Sequence, residues 1–201
     1  MKDVVRLVLV LTVIAAAAGL ILSGVEGVTR EPIAKQRRLE MLRALRAVLP
    51  PMDNEPDKDT VSLVTGTNRK GKEESRIFYR GREGTKLTGV AFKVVGTEGY
   101  AGNIEIMVGV KPDGTVNGIE ILSQAETPGL GARITEPKFK DQFRGKNLEN
   151  ADWKVKKDGG DFDQITGATI SPRAVVKAIR MGLEFYKEHQ GQITAPKRSE
   201  G

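Results

Sequence analysis

The chain has 201 residues, a formal net charge of +6, no cysteine and a single histidine. That length holds one ordinary domain with an appendage, and 39% hydrophobic against 29% charged residues is the balance of a folding chain. Without cysteine there is no disulfide, thiol nucleophile, iron–sulfur cluster, c-type haem attachment or lipid-modified cysteine, and His189 alone makes no histidine cluster for zinc or haem iron. Redox chemistry in such a chain falls to an organic cofactor.

Residues 7–25, LVLVLTVIAAAAGLILSGV, carry no charge. At 1.5 Å per residue they make a helix of about 28 Å, close to the hydrocarbon thickness of a bilayer. The run is apolar on every face, which argues for a membrane segment over a core helix. Its small residues, Ala15 to Ala18, sit in the middle, where a signal-peptide cleavage site would split the run. Residues 1–28 therefore read as an uncleaved single-pass anchor. Orientation stays open on charge: Lys2 and Arg6 precede the segment, while Arg30, Lys35, Arg37, Arg38, Arg43 and Arg46 follow it, and long domains translocate largely regardless of such counts. Residues 1–50 hold eight Lys/Arg against four Asp/Glu, and 51–201 hold 24 against 22. The basic surplus is thus a juxtamembrane fringe and not a nucleic-acid surface.

Residues 29–51 read as a juxtamembrane helix. Ile33, Leu39, Leu42, Leu45 and Leu49 recur at helical spacing, Thr29 suits its N-cap, and Pro50-Pro51 stop it. Residues 52–60 read as a loop. Strands follow at 76–80, 87–95, 104–110 and 116–122, each rich in β-branched or aromatic residues. In the third, Ile104, Ile106, Val108 and Val110 alternate with Glu105, Met107 and Gly109, as in a half-buried strand. Lys111-Pro112-Asp113-Gly114 is a turn, because Pro fixes φ and Gly accepts positive φ. Helices are expected at 137–144 and at 172–188, the latter with Val175, Val176, Ile179, Leu183 and Tyr186 on one side. Residues 191–201 read as a polar tail. The fold class is α+β: a transmembrane helix, then a mainly antiparallel sheet with flanking helices.

Two familiar phosphate-binding patterns fail. Gly66 to Lys72 has the spacing of a phosphate-binding loop, but Glu73 stands where Mg²⁺ coordination needs Ser or Thr, and a solvated basic turn is the simpler reading. Gly129-Leu130-Gly131 lacks the third glycine of a dinucleotide fingerprint.

Two stretches remain. Asp163-Gln164-Ile165-Thr166-Gly167-Ala168-Thr169 runs into Ile170-Ser171-Pro172, where Ser171 suits an N-cap and Pro172 the first helical position. Thr169 then lies at a helix N-terminus, where free N–H groups and the dipole favour phosphate. Gly167 and Ala168 let a ligand approach the backbone, and Asp163 could orient or activate a hydroxyl. An ordinary tight turn into a capped helix is the competing reading. The second stretch, Glu126-Thr127-Pro128-Gly129-Leu130-Gly131, joins a carboxylate, a hydroxyl, a rigid Pro and two glycines. It suits a loop against a flat ligand, and equally a plain connection.

In this order and spacing, together with Gly99-Tyr100 and Lys157-Asp158-Gly159-Gly160, the two motifs resemble the G subunit of the Rnf ion-translocating electron transport complex. More distantly they resemble the C subunit of the sodium-translocating NADH:quinone reductase. The resemblance spans nearly the whole chain, and the chain length favours the Rnf protein. It implies an FMN-binding domain over 52–190, with FMN held covalently by Thr169 through a phosphoester that a flavin transferase installs from FAD. Thr166, Gly167 and Ala168 would line the attachment site, and Asp163 is the motif's leading carboxylate. The loop of Glu126, Thr127, Pro128, Gly129, Leu130 and Gly131 would lie against the isoalloxazine. One departure is Gln124-Ala125, where a basic pair is common. The resemblance further implies an electron relay between ferredoxin and NAD⁺, other subunits of a membrane complex as partners, and a bacterial or archaeal cell membrane with the domain on the periplasmic or extracytoplasmic side. The alternatives are an anchored flavin-binding sensor or accessory module outside such a complex, or the C subunit of the sodium-translocating NADH:quinone reductase.

Overall fold

The computed structural model describes residues 1–67 and 73–195. The chain divides into two compact units, Met1–Met41 and Leu42–Gly201. The first is helical throughout. It belongs to helix α1 (Lys2–Val48), which contains the one helical stretch, among the described residues, long and apolar enough to cross a membrane. The side chains of residues 7–25 are exposed, as a lipid-facing helix requires. No helix starts at Thr29. Its hydroxyl donates back to the Val25 carbonyl at 2.8 Å, so it sits inside α1 and caps nothing.

The second unit is a five-stranded antiparallel sheet in the order β1-β2-β3-β4-β5, each strand pairing with the next in sequence. The strands are β1 (Thr60–Thr67), β2 (Glu73–Glu83), β3 (Lys86–Gly96), β4 (Ile104–Val110) and β5 (Val116–Ser123). Four of them coincide with the strands read from the sequence. β1 does not: Thr-Val-Ser-Leu-Val-Thr-Gly-Thr is an edge strand with a register shift between Val64 and Gly66, and its polar alternation gave no buried run to detect. Gly66 and Thr67 close β1, and the rest of the basic stretch, 68–72, lies outside the described residues.

Helix α2 (Pro137–Lys140) continues as a 3₁₀ turn, Asp141–Phe143, within the helical segment expected at 137–144. Helix α3 (Ile170–Thr194) crosses one face of the sheet. It sits so close that a Cβ on Gly182 would stand 2.5 Å from Val94 Cγ1, and one on Gly96 would stand 3.0 Å from the Ala174 carbonyl oxygen. Val175, Ile179, Leu183 and Tyr186 of α3 are buried with Phe78, Val90, Phe92, Ile106 and Val108 of the sheet. Each such side chain contributes about 1.5–3 kcal/mol by burial. The helix extends beyond the expected end: Ile193 is fully buried, so 191–194 belong to α3 and not to a loose tail, while 196–201 lie outside the described residues.

The opposite face of the sheet is covered as well. The last turn of α1 and the residue that follows it bring buried Ala44, Leu45, Val48 and Leu49 onto it. A furrow of glycines admits that turn. Cβ atoms added at Gly109 and Gly89 would meet the Val48 carbonyl oxygen at 2.2 Å and Pro50 Cδ at 2.5 Å, and Gly81 and Gly118 lie in looser contact with the same segment. Gly81 pairs with Gly89 and Gly109 with Gly118 across neighbouring strands. The side-chain amide of Asn117 donates to the Val48 carbonyl at 2.8 Å and ties the helix end down. This is why β4 is not half-buried as its alternation predicts: Met107, on the helix-end face, is 1% exposed.

Candidate functional site

The two motifs are held beside each other by two tight turns. In the loop after β5, the Leu130 amide donates to the Thr127 carbonyl at 3.1 Å, and Gly129, third in that turn, has φ 74°. Pro128 fixes the second position, so Thr127-Pro128-Gly129-Leu130 is a turn its residues dictate. In the second motif the Ala168 amide donates to the Ile165 carbonyl at 2.9 Å, and Gly167 has φ 80°. The turns touch: a Cβ on Gly167 would lie 3.2 Å from Leu130 Cδ2.

Thr169 follows directly, with φ −77° and ψ −27°, as the residue before α3. This corrects the expected capping. Ser171 is not the N-cap and Pro172 not the first helical residue, because the helix begins at Ile170. The Thr169 carbonyl accepts the Arg173 amide at 3.2 Å, and its half-buried side chain makes no capping hydrogen bond. Ile170 and Ser171, in the first turn, have no intrahelical acceptor for their amides. A hydroxyl at a helix start, beside a glycine turn, fits a phosphoryl group in charge and in space.

The glycines serve different ends. Gly129 and Gly167 supply positive φ, whereas Gly131 supplies room, since a Cβ there would stand 2.5 Å from Ser171 Oγ and 2.6 Å from Glu126 Oε2. Glu126 is 4% exposed. Its Oε1 accepts the Ala101 amide at 3.0 Å, and its Oε2 accepts the Ser171 hydroxyl at 2.5 Å. Thr127, Pro128, Gly129 and Leu130 are exposed, as are Thr166 and Gly167, while Ala168 is half-buried against the core. Gln124, at the departure from the basic pair, accepts the Glu126 amide at 2.6 Å through Oε1 and helps close the loop.

Asp163 is exposed and pairs with Lys156 Nζ at 2.7 Å, and its amide donates to Gln142 Oε1 at 2.6 Å. It makes no hydrogen bond to Thr169, so the geometry gives it an ion pair at the mouth of the motif and not a hold on the hydroxyl. The segment that delivers the motif is anchored by aromatic rings: Phe162 packs on Phe143 and on Trp153, both at 4.8 Å between centroids. The Trp153 indole donates to the Asn147 carbonyl at 2.8 Å. Asp158 clamps the first turn of α3, accepting from Arg173 Nε and Nη2, each at 2.7 Å. Those hydrogen bonds hold the Asp158 carboxyl below, and the Arg173 guanidinium above, their usual ranges.

Three apolar side chains are exposed here; Leu130 belongs to the loop singled out in the sequence, whereas Tyr100 and Ile170 were not named as site residues. Tyr100 is 71% exposed, and Leu130 and Ile170 are each 44% exposed. Each belongs to or adjoins one of the segments joined at Glu126. Apolar side chains left in water beside a polar hydroxyl suit a flat ring. An aromatic residue directly after Gly99, in the glycine-containing stretch Gly99-Tyr100-Ala101-Gly102, was the available signal for Tyr100.

Residues 99–184 match the FMN-binding domain family. The chain is 41% identical over 192 residues to the G subunit of the ion-translocating oxidoreductase complex of Aliivibrio fischeri, covering 92% of this chain and 91% of that protein. It is 37% identical over 195 residues to the protein of the same name from Cereibacter sphaeroides, covering 94% and 86%. Among solved structures it is similar in fold to Shewanella oneidensis NqrC, with a TM-score of 0.58 and 20% identity over 79% of this chain and 98% of that one. The chain belongs to the family of G subunits of ion-translocating oxidoreductase complexes.

Proposed function

We propose that this chain carries FMN as a phosphoester on the Thr169 hydroxyl and serves as an electron carrier in an ion-translocating ferredoxin:NAD oxidoreductase complex. Family membership and the FMN-binding domain match support a membrane-associated FMN carrier within such a complex. The attachment residue rests on one observation: Thr169 stands before α3 with no capping hydrogen bond, directly after the positive-φ turn at Gly167.

A flavin transferase using FAD would install the group. Thr169 Oγ1 forms a bond to the FMN-side phosphorus, the pyrophosphate P–O bond breaks, AMP leaves, and the hydroxyl proton is given up to a base. Thr166, Gly167 and Ala168 keep the approach narrow and free of bulk. The start of α3 favours the phosphate charge. Leu130, Tyr100 and Ile170 offer apolar surface to a ring, and the turn at Pro128-Gly129 holds Leu130 in place. The bound flavin supplies one- and two-electron transfer. Covalent attachment keeps the site loaded where free flavin is scarce, because retention no longer depends on ligand concentration.

The reading also assigns the second unit to the extracytoplasmic side of a bacterial or archaeal cell membrane. The charges after the anchor count against this side, but a folded unit of this length translocates largely regardless of them. Co-expression with a flavin transferase tests attachment. The denatured wild-type band should fluoresce under ultraviolet light, Thr169→Ala should be dark, and an unlabelled wild-type band would sink the reading.

A further inference from the structure

Among the described residues three polar or charged side chains are buried, Arg80, Glu126 and Ser171, and two of these bond to each other. Glu126 joins three segments. Its Oε1 takes the amide of Ala101, next to exposed Tyr100. Its Oε2 takes the hydroxyl of Ser171, two residues beyond Thr169 in the first turn of α3. Its own backbone begins the loop that carries Leu130. The carboxylate is enclosed by glycines on both sides: a Cβ on Gly99 would stand 2.9 Å from Oε1 and one on Gly131 would stand 2.6 Å from Oε2.

We propose that Glu126 is a positioning residue for flavin attachment. It touches neither the cofactor nor the transferase. It fixes the start of α3 through Ser171, and with it the Thr169 hydroxyl, while holding the Tyr100 turn at its other oxygen. Thr169, Ile170 and Ser171 form one continuous entry to α3, and the Thr169 carbonyl accepts the Arg173 amide, so displacement of Ser171 is passed to Thr169. The main core, between the sheet and α3, makes no use of the Glu126 carboxylate, so its loss loosens the site before it unfolds the domain. The inference rests on Thr169 being the attachment residue.

The test uses the full chain in detergent, a purified flavin transferase and FAD. Initial attachment rates are compared for wild type, Glu126→Ala, Glu126→Gln and Ser171→Ala, each below its own thermal midpoint. Glu126→Ala should attach flavin at least tenfold more slowly, and Ser171→Ala several-fold more slowly. Glu126→Gln should recover most of the rate lost in Glu126→Ala, because its amide oxygen can accept from Ala101 and its NH₂ can donate to Ser171 Oγ. Wild-type rates in Glu126→Ala or Ser171→Ala would overturn the proposal, as would Glu126→Gln behaving like Glu126→Ala. If Glu126→Ala fails to fold, a slowed Ser171→Ala with a rescued Glu126→Gln supports the proposal and an unslowed Ser171→Ala overturns it. Failure of the Thr169 reading is separate: it shows as an unlabelled wild type or a labelled Thr169→Ala.

Discussion

Leu130 and Gly167 meet where the two motifs face each other, at a separation that leaves a Cβ on Gly167 3.2 Å from Leu130 Cδ2. The contact joins two positive-φ turns that are 38 residues apart in sequence, at Gly129 and Gly167. An L-residue at Gly167 meets both a left-handed backbone and a crowded neighbour. Gly167→Ala should therefore lose about 1–2 kcal/mol of stability and slow flavin attachment. Thermal unfolding and an attachment time course check this; an unchanged time course would contradict it.

The glycine furrow makes a sharper contrast. At Gly109 a Cβ would meet the Val48 carbonyl oxygen at 2.2 Å, whereas at Gly118 the nearest atom is 3.5 Å away, an ordinary contact. Gly109→Ala must push the end of α1 off the sheet and should cost about 3 kcal/mol. Gly118→Ala, in the neighbouring strand, should change stability by less than about 1 kcal/mol. Denaturant unfolding of the two variants side by side decides it. Equal losses would mean that the helix end does not sit in the furrow.

Most of the fold was legible where a local rule acted alone. β4 was read over its full extent from its alternation, and the turn at Pro112–Gly114 and the apolar stripe of α3 from spacing. What could not be read depended on partners distant in sequence. Gly81, Gly89, Gly109 and Gly118 are separate glycines along the chain and become a furrow only when the strands pair. Ser171 has the chemistry of an N-cap, but the buried Glu126 claims its hydroxyl and the helix starts two residues earlier than expected, at Ile170. Glu126 itself was noticed for its motif, but its burial and its bonds to Ala101 and Ser171 were not legible, since nothing local tells a buried carboxylate from an exposed one.

Asp59 links pH to stability. Burial pushes its carboxyl up, but hydrogen bonds from Arg82 and Arg80, and their charges, outweigh burial and hold it below the usual range. Arg82 Nε lies 2.6 Å from Asp59 Oδ2, and Arg80 Nε donates to Oδ1 at 2.9 Å. Arg80 also donates to the Ala195 carbonyl at 2.8 Å, so the network locks the end of α3 to the sheet. A depressed folded-state pKa contributes stability that is complete above the unfolded value of about 3.9 and is lost as pH falls through the lower folded value. Asp59→Asn should cost about 3 kcal/mol at neutral pH, and its stability should fall less steeply than wild type on acidification below pH of about 4. Parallel acid-dependence curves for the two proteins would contradict this.

The absence of cysteine makes the membrane side directly measurable. Glu188 is exposed on α3, so Glu188→Cys places one thiol on the second unit. A membrane-impermeant maleimide should label that variant in intact cells, once the outer envelope is permeabilised. Labelling only after the cell membrane is broken would put the unit in the cytoplasm.

The most direct measurement is mass spectrometry of wild-type chain matured with the transferase, followed by fragmentation of the peptide spanning residues 163–173. The account predicts a gain of one FMN less one water, carried by Thr169 and abolished in Thr169→Ala. An unmodified mass, or the same gain on Thr166 or any other residue, would contradict it.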